Sequence, residues 1–126
     1  MLNILYIAVG GAVGAVFRYS VNIGAQHILG KDFPYGTLIV NIIGSLLIGI
    51  VYVLMIERAE LSQEWRSFLI IGVLGAFTTF STFSFETISL FESGEILKAF
   101  INILASVSIC LFVCWLGMFL TRQTSL

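Results

Sequence analysis

The chain has 126 residues, of which 59% are hydrophobic and only 10% charged, with 6 basic and 7 acidic side chains. Soluble domains carry about 25% charged residues, so this composition excludes an ordinary soluble protein and points to one embedded in a membrane. The net charge of −1 gives no electrostatic reason to expect nucleic acid as a partner.

Four apolar stretches, residues 2–22, 35–56, 65–90 and 96–120, each approach the ~20 residues that a bilayer requires. The first begins directly after Met1 without a basic leader and outruns a signal-peptide core, so it is read as a retained span. Within it Gly10, Gly14, Arg18, Asn22 and Gln26 recur every four residues along one slowly drifting stripe. Small residues at that spacing let helix backbones approach closely in lipid. Packing within one chain and packing between chains explain that stripe equally well.

A polar connection from His27 to Pro34 holds Lys31 and Asp32, and Pro34 sits where a helix start tolerates it. The second span carries Thr37, Asn41 and Ser45 on one stripe, and Gly44, Ser45 and Gly49 on a small-residue surface. The next connection, residues 57–64, holds much of the charge. The third span is the most informative. From Gly75 to Glu86 it reads Gly-Ala-Phe-Thr-Thr-Phe-Ser-Thr-Phe-Ser-Phe-Glu, hydroxyls and phenyl rings ending in a carboxylate. Polar groups at membrane depth face a protein interior or a water-filled path, so this segment is the first candidate for a conduction site. A glycine followed by adjacent β-branched residues lowers helix propensity and predicts a break near Gly75–Thr79. Carbonyls exposed by such a break need a partner, and a hard cation bound between oxygens is one solution.

A tight turn at Ser93-Gly94 leads to the fourth span, with Asn102, Ser106 and Cys110 on one face. Cys110 and Cys114 lie four apart in that run and suit packing better than a disulfide or a metal site. The whole of 1–126 therefore reads as one all-α, four-helix transmembrane domain. With the amino terminus cytoplasmic, Arg58, Arg66 and Arg122 lie on that side and Arg18, Lys31 and Lys98 on the other. A positive-inside bias normally fixes orientation. An even split predicts insertion both ways and pairing with an inverted copy.

Three polar stripes in three consecutive spans predict one shared lining. It is rich in donors, with Asn41, Ser81, Thr82 and Ser106, and Glu86 is its only obvious carboxylate. Hydroxyl and amide groups solvate a small anion, and the positive edges of the Phe80 and Phe83 rings attract one. On spacing alone, those two rings fit lipid or core packing as well.

The run Gly10-Gly11-Ala12-Val13-Gly14-Ala15-Val16-Phe17-Arg18-Tyr19, then Gly36-Thr37-Leu38-Ile39-Val40-Asn41, then residues 75–83 resemble the small dual-topology fluoride channels, the Fluc or CrcB family, over essentially the whole chain. The resemblance implies an antiparallel homodimer in the cell membrane with two pores, each lined by both subunits, and passive export of cytoplasmic fluoride. It also implies that Phe80 and Phe83 flank the fluoride path and that Asn41 and Ser106 belong to its polar track. Arg18 and Glu86 fall at vestibule and track positions. The carbonyls of Gly75 and Thr78 match those that hold a central structural sodium ion. Cys110 departs from the pattern, standing where a hydroxyl is usual. The other reading is a small proton-coupled multidrug exporter, for which Glu86 would be the only intramembrane carboxylate available. No residue set in the sequence supports an enzyme: His27 is the lone histidine, and Gly10–Gly14 lacks a dinucleotide fingerprint.

Overall fold

The computed structural model describes residues 2–124. It is all-helical, with four segments long and apolar enough to cross a bilayer, Leu2–Leu29, Tyr35–Glu57, Gln63–Glu92 and Ile96–Gln123. The protein is a multi-pass membrane protein. Helix α1 (Leu2–Leu29) runs seven residues past its expected end, so His27 lies in its last turn. Nothing interrupts that helix before Gly30, whose positive φ of 91° turns the chain toward Pro34. Helix α2 (Tyr35–Tyr52) starts directly after Pro34 and widens into a π-helical turn over Val53–Glu57.

The third span is assembled from pieces. Helix α3 (Gln63–Arg66) passes into a π-helical stretch, Ser67–Leu74, and then into one turn of α4 (Gly75–Phe77). Thr78 and Thr79 are extended, with φ/ψ of −87°/157° and −154°/121°. Helicity resumes in α5 (Phe80–Glu92), and a turn at Gly94 (φ 83°) feeds the unbroken α6 (Ile96–Gln123). The break thus falls inside the predicted stretch. Gly75 itself is helical, at −61°/−37°, and the two β-branched threonines supply the extended backbone.

Packing follows the glycines. A Cβ on Gly10 would strike the Phe68 carbonyl, and one on Gly72 would come within 2.9 Å of the Ile7 carbonyl oxygen and Gly10 Cα. One turn further along α1, a Cβ on Gly14 would strike the Val73 carbonyl. On the other side of the bundle, Gly49 of α2 abuts the Cys114 carbonyl of α6, while a Cβ on Gly117 would lie 2.7 Å from the Leu46 carbonyl. These glycines are therefore spent on seams within the chain, where close backbone approach replaces a hydrophobic driving force that lipid does not provide. A Cβ on Gly11 or Gly24 would meet nothing within 4 Å among the described residues.

At the end of the bundle near the second connection, Arg58 donates to the carbonyls of Thr121 (2.7 Å), in the last turn of α6, and Thr124 (2.6 Å), just beyond it. Arg122 grips Glu57 with Nε at 3.0 Å and with a second guanidinium nitrogen. A cation at a helix C-terminus satisfies freed carbonyls and complements the helix dipole.

Candidate functional site

The break begins with hydrogen bonds that an uninterrupted helix would have made. In such a helix the Thr79 N–H would bond to the Gly75 carbonyl. Here it donates to Asn41 Oδ1 at 2.8 Å, and Asn41 Nδ2 donates back to the Thr79 carbonyl at 3.0 Å. A backbone N–H can only donate and a carbonyl only accept, so the pair fixes which end of the amide is which. It consumes one of the two amide N–H groups and leaves the other.

Thr79 also starts the next helix. Its Oγ1 accepts from the Thr82 N–H at 3.2 Å and donates to Thr82 Oγ1 at 3.1 Å, with Ser81 Oγ 3.3 Å away. This is an N-cap made by the residue type suited to it. Thr78 turns its methyl against Gly44 of α2 and returns its hydroxyl to the Leu74 carbonyl at 3.0 Å. The Thr78 side chain is thus fully employed, and only its carbonyl is left over.

The last turn before the break leaves several acceptors. The Ala76 carbonyl takes the Arg18 Nε–H at 3.0 Å. Among the described residues, the carbonyls of Gly75, Phe77 and Thr78 receive no N–H or hydroxyl. Arg18 reaches the break because it continues the Gly10, Gly14 stripe by one more turn of α1. It lies beside the middle of the third span and not near an end, as its place in the charge count had suggested. No carboxylate pairs with it among the described residues.

Beside the break lies a groove of about 480 Å³. Its polar lining comes from Asn41, Ser45, Thr78, Thr79, Ser106 and Cys110, and its apolar wall includes Leu74, Phe80 and Phe83. Gly75 lines it too. The structure therefore brings together Asn41, Phe80, Phe83, Ser106, Gly75 and Thr78. The two rings are 5.4 Å apart and tilted by 46°. Phe83 is buried, at 9% exposure, whereas Phe80 projects from the chain at 77%. Ser106 Oγ donates to Asn102 Oδ1 over 3.4 Å, at the long limit for such a bond, so little opposes its turning toward a ligand. The Ser45 hydroxyl lies beside the Cys110 thiol, and both cysteines are free.

The remaining candidates are placed elsewhere. Ser81 is exposed and Thr82 half-buried at the start of α5, bonded to Thr79 and outside the groove wall. Glu86 lines a separate cavity of about 260 Å³ with Asn22, Gln26, Lys31 and Asp32. Thr37 leaves the stripe it shares with Asn41 and lies next to Glu86. Thr37 Oγ1 and Glu86 Oε1 are both buried without a hydrogen bond among the described residues. The single lining expected from three stripes is thus divided within one chain into a groove at the break and a cavity near the first connection.

Three features of this region were not legible in the sequence. Arg18 bonding to Ala76 needed the parallel course of α1 and the third span. The free Phe77 carbonyl needed the position of the break to the residue. Asn102 donates to Thr87 Oγ1 at 2.9 Å, both buried, and Thr87 in turn donates to the Phe83 carbonyl at 2.7 Å. The only signal for that pair was the polar face of the fourth span.

Fold and site together define a four-span helical membrane protein with a polar groove at a broken span. The chain belongs to the family of CrcB-like protein, Camphor Resistance (CrcB), whose model matches residues 5–118. It is 51% identical over 117 residues to the fluoride-specific ion channel FluC of Shewanella amazonensis, covering 93% of this chain and 94% of that protein. Over 123 residues it is 50% identical to the fluoride-specific ion channel FluC of Hydrogenovibrio crunogenus, with 98% and 93% covered. The Methylococcus capsulatus fluoride-specific ion channel FluC is 50% identical over 122 residues. There the match covers 97% of this chain and 54% of the relative, so the chain spans about half of that protein's length.

Proposed function

We propose that this chain forms a fluoride-selective channel that lets cytoplasmic fluoride leave the cell passively, working as an antiparallel homodimer with two pores. The observation that carries this reading is the groove at the break, where Asn41, Ser106 and two phenyl rings face one space without a carboxylate among its described lining residues. An anion there meets the second N–H of Asn41, a serine hydroxyl that turns at little cost, and the edge of the Phe83 ring. These are weak partners individually, which suits a path that an ion must leave as readily as it enters.

The groove is open along one side of the single chain, and Phe80 stands out from it. A second copy packed against that side closes the path and brings Phe80 into contact with protein. With Arg18 at mid-span the basic residues divide three (Arg58, Arg66, Arg122) against two (Lys31, Lys98), a bias weak enough to support an inverted copy for that role. The same face presents the free carbonyls of Gly75 and Thr78. Their oxygen chemistry suits a sodium ion, which supplies positive charge at the negative end of the half-helix and satisfies acceptors that lipid cannot. An exporter of cationic drugs would need a carboxylate in the groove, and Glu86 lines the other cavity.

Efflux from proteoliposomes tests the reading. Fluoride should leave passively without an imposed proton gradient, and chloride should be retained. Chloride flux comparable to fluoride flux would overturn the substrate assignment.

A further inference from the structure

We propose that Arg18 is a positioning residue that sets the charge selectivity of the cation site at the break, holding it to a monovalent ion; this rests on the proposed sodium at Gly75 and Thr78. The break leaves four neighbouring carbonyls, on residues 75–78, without their helical N–H partners. All lie at the negative end of a half-helix, where cations are favoured. Arg18 occupies one of the four, the Ala76 carbonyl, through Nε at 3.0 Å. Thr79 cannot refill the Gly75 carbonyl, because its N–H is committed to Asn41.

Two consequences follow from the placement of a guanidinium there. The first is a ligand count. With Ala76 engaged, each chain offers a metal ion only Gly75, Phe77 and Thr78, so an inverted pair supplies at most six carbonyls, the lower end of the 6–8 oxygens that calcium takes. The second is charge. Sodium and calcium have similar radii, so a set of carbonyls separates them poorly by size. A fixed positive charge on the adjoining residue repels a divalent ion twice as strongly as a monovalent one. No carboxylate pairs with Arg18 among the described residues to cancel that charge. Its side chain is held in place by α1, since Gly14, one turn earlier, is in backbone contact with Val73 and Phe77.

The test follows the thermal stability of the purified full-length dimer, titrated with sodium or calcium against a background of a large organic cation. The parent should be stabilised by sodium and not by calcium. Arg18→Gln should respond at roughly ten-fold lower sodium and gain a calcium response. Arg18→Lys, which keeps the charge, should keep the parent's preference for sodium. If Arg18→Gln does not fold, Arg18→Met is read in its place. Calcium substituting for sodium in the parent, with Arg18 intact, overturns the inference whatever the variants do. A sodium-dependent parent whose Gln variant has the same midpoint and no calcium response removes Arg18 from the site. A parent indifferent to sodium overturns the metal reading itself, leaving fluoride efflux as a separate question.

Discussion

Before its break the third span is held by size, and after it by chemistry. Ser67–Leu74 and Gly75–Phe77 lie against α1 so closely that Gly10, Gly14 and Gly72 leave no room for a Cβ. Phe80–Glu92 is tied to α6 through buried Thr87 and Asn102. Among the described residues the first seam makes no side-chain hydrogen bond until Arg18 reaches Ala76, and the second depends on one. A single continuous helix would present one surface along its length. Breaking it at Thr78 and Thr79 lets the two halves serve different partners and releases polar groups at the point where they are useful.

The largest expected effect comes from filling the first seam. Gly14→Val drives a side chain into the Val73 carbonyl, with the Phe77 nitrogen 3.1 Å from the new Cβ. Overpacking costs about 1–3 kcal/mol even where side chains can shift, and here backbone must move. No monodisperse protein should elute on size exclusion, whereas Gly11→Ala, which meets nothing, should behave like the parent. A folded, active Gly14→Val protein would mean that the seam is loose.

The second seam should fail differently. Asn102→Leu leaves the Thr87 hydroxyl without its donor in a buried site, at a cost of about 1–3 kcal/mol. Adding Thr87→Val should restore part of the lost stability, because the Thr87 hydroxyl is then no longer stranded and only the long Ser106 bond stays lost. Additive losses in thermal unfolding would show that the two side chains are not coupled.

Next come the rings. Phe83→Ile and Phe80→Ile keep apolar bulk and delete the quadrupole, so folded protein should lose fluoride flux by about ten-fold or more. Parent-like flux from both would make them packing residues. The smallest effect is expected at the rim, where Glu57→Gln weakens the contact with Arg122. Exposed ion pairs contribute little, and neither assembly nor flux should change measurably; a clear fall in melting temperature would assign that end of the bundle a larger part.

Much of this was legible in the residues. Four spans followed from apolar length, and the break followed from Gly75 and two adjacent threonines, although its position shifted to the threonines themselves. The α1 stripe of Gly10, Gly14 and Arg18 was visible as a period of four, but not its partner, because periodicity names a face without saying what covers it. Residue 37 illustrates another limit. Thr37 and Asn41 share a stripe, yet Thr37 lies by Glu86 while Asn41 faces the groove. One turn of helix spans about 5.4 Å, enough to pass from one cavity to another. The end of α1 was misplaced because His27 is compatible with a helix, and only Gly30 ends it.

The central claim is that the Asn41 amide both closes the break and offers an N–H to the anion. Asn41→Asp tests it most directly. The variant keeps an acceptor for the Thr79 N–H, loses the donor to the Thr79 carbonyl, and places a negative charge beside the path. Two like charges about 4 Å apart repel by roughly 4 kcal/mol at an effective dielectric near 20. Fluoride efflux normalised to intact dimer should therefore fall by about a hundred-fold or more, while Asn41→Ser, with one hydroxyl donor, should lose less. Equal normalised efflux from Asn41→Asp and the parent would contradict the account and leave Asn41 as a helix tie alone.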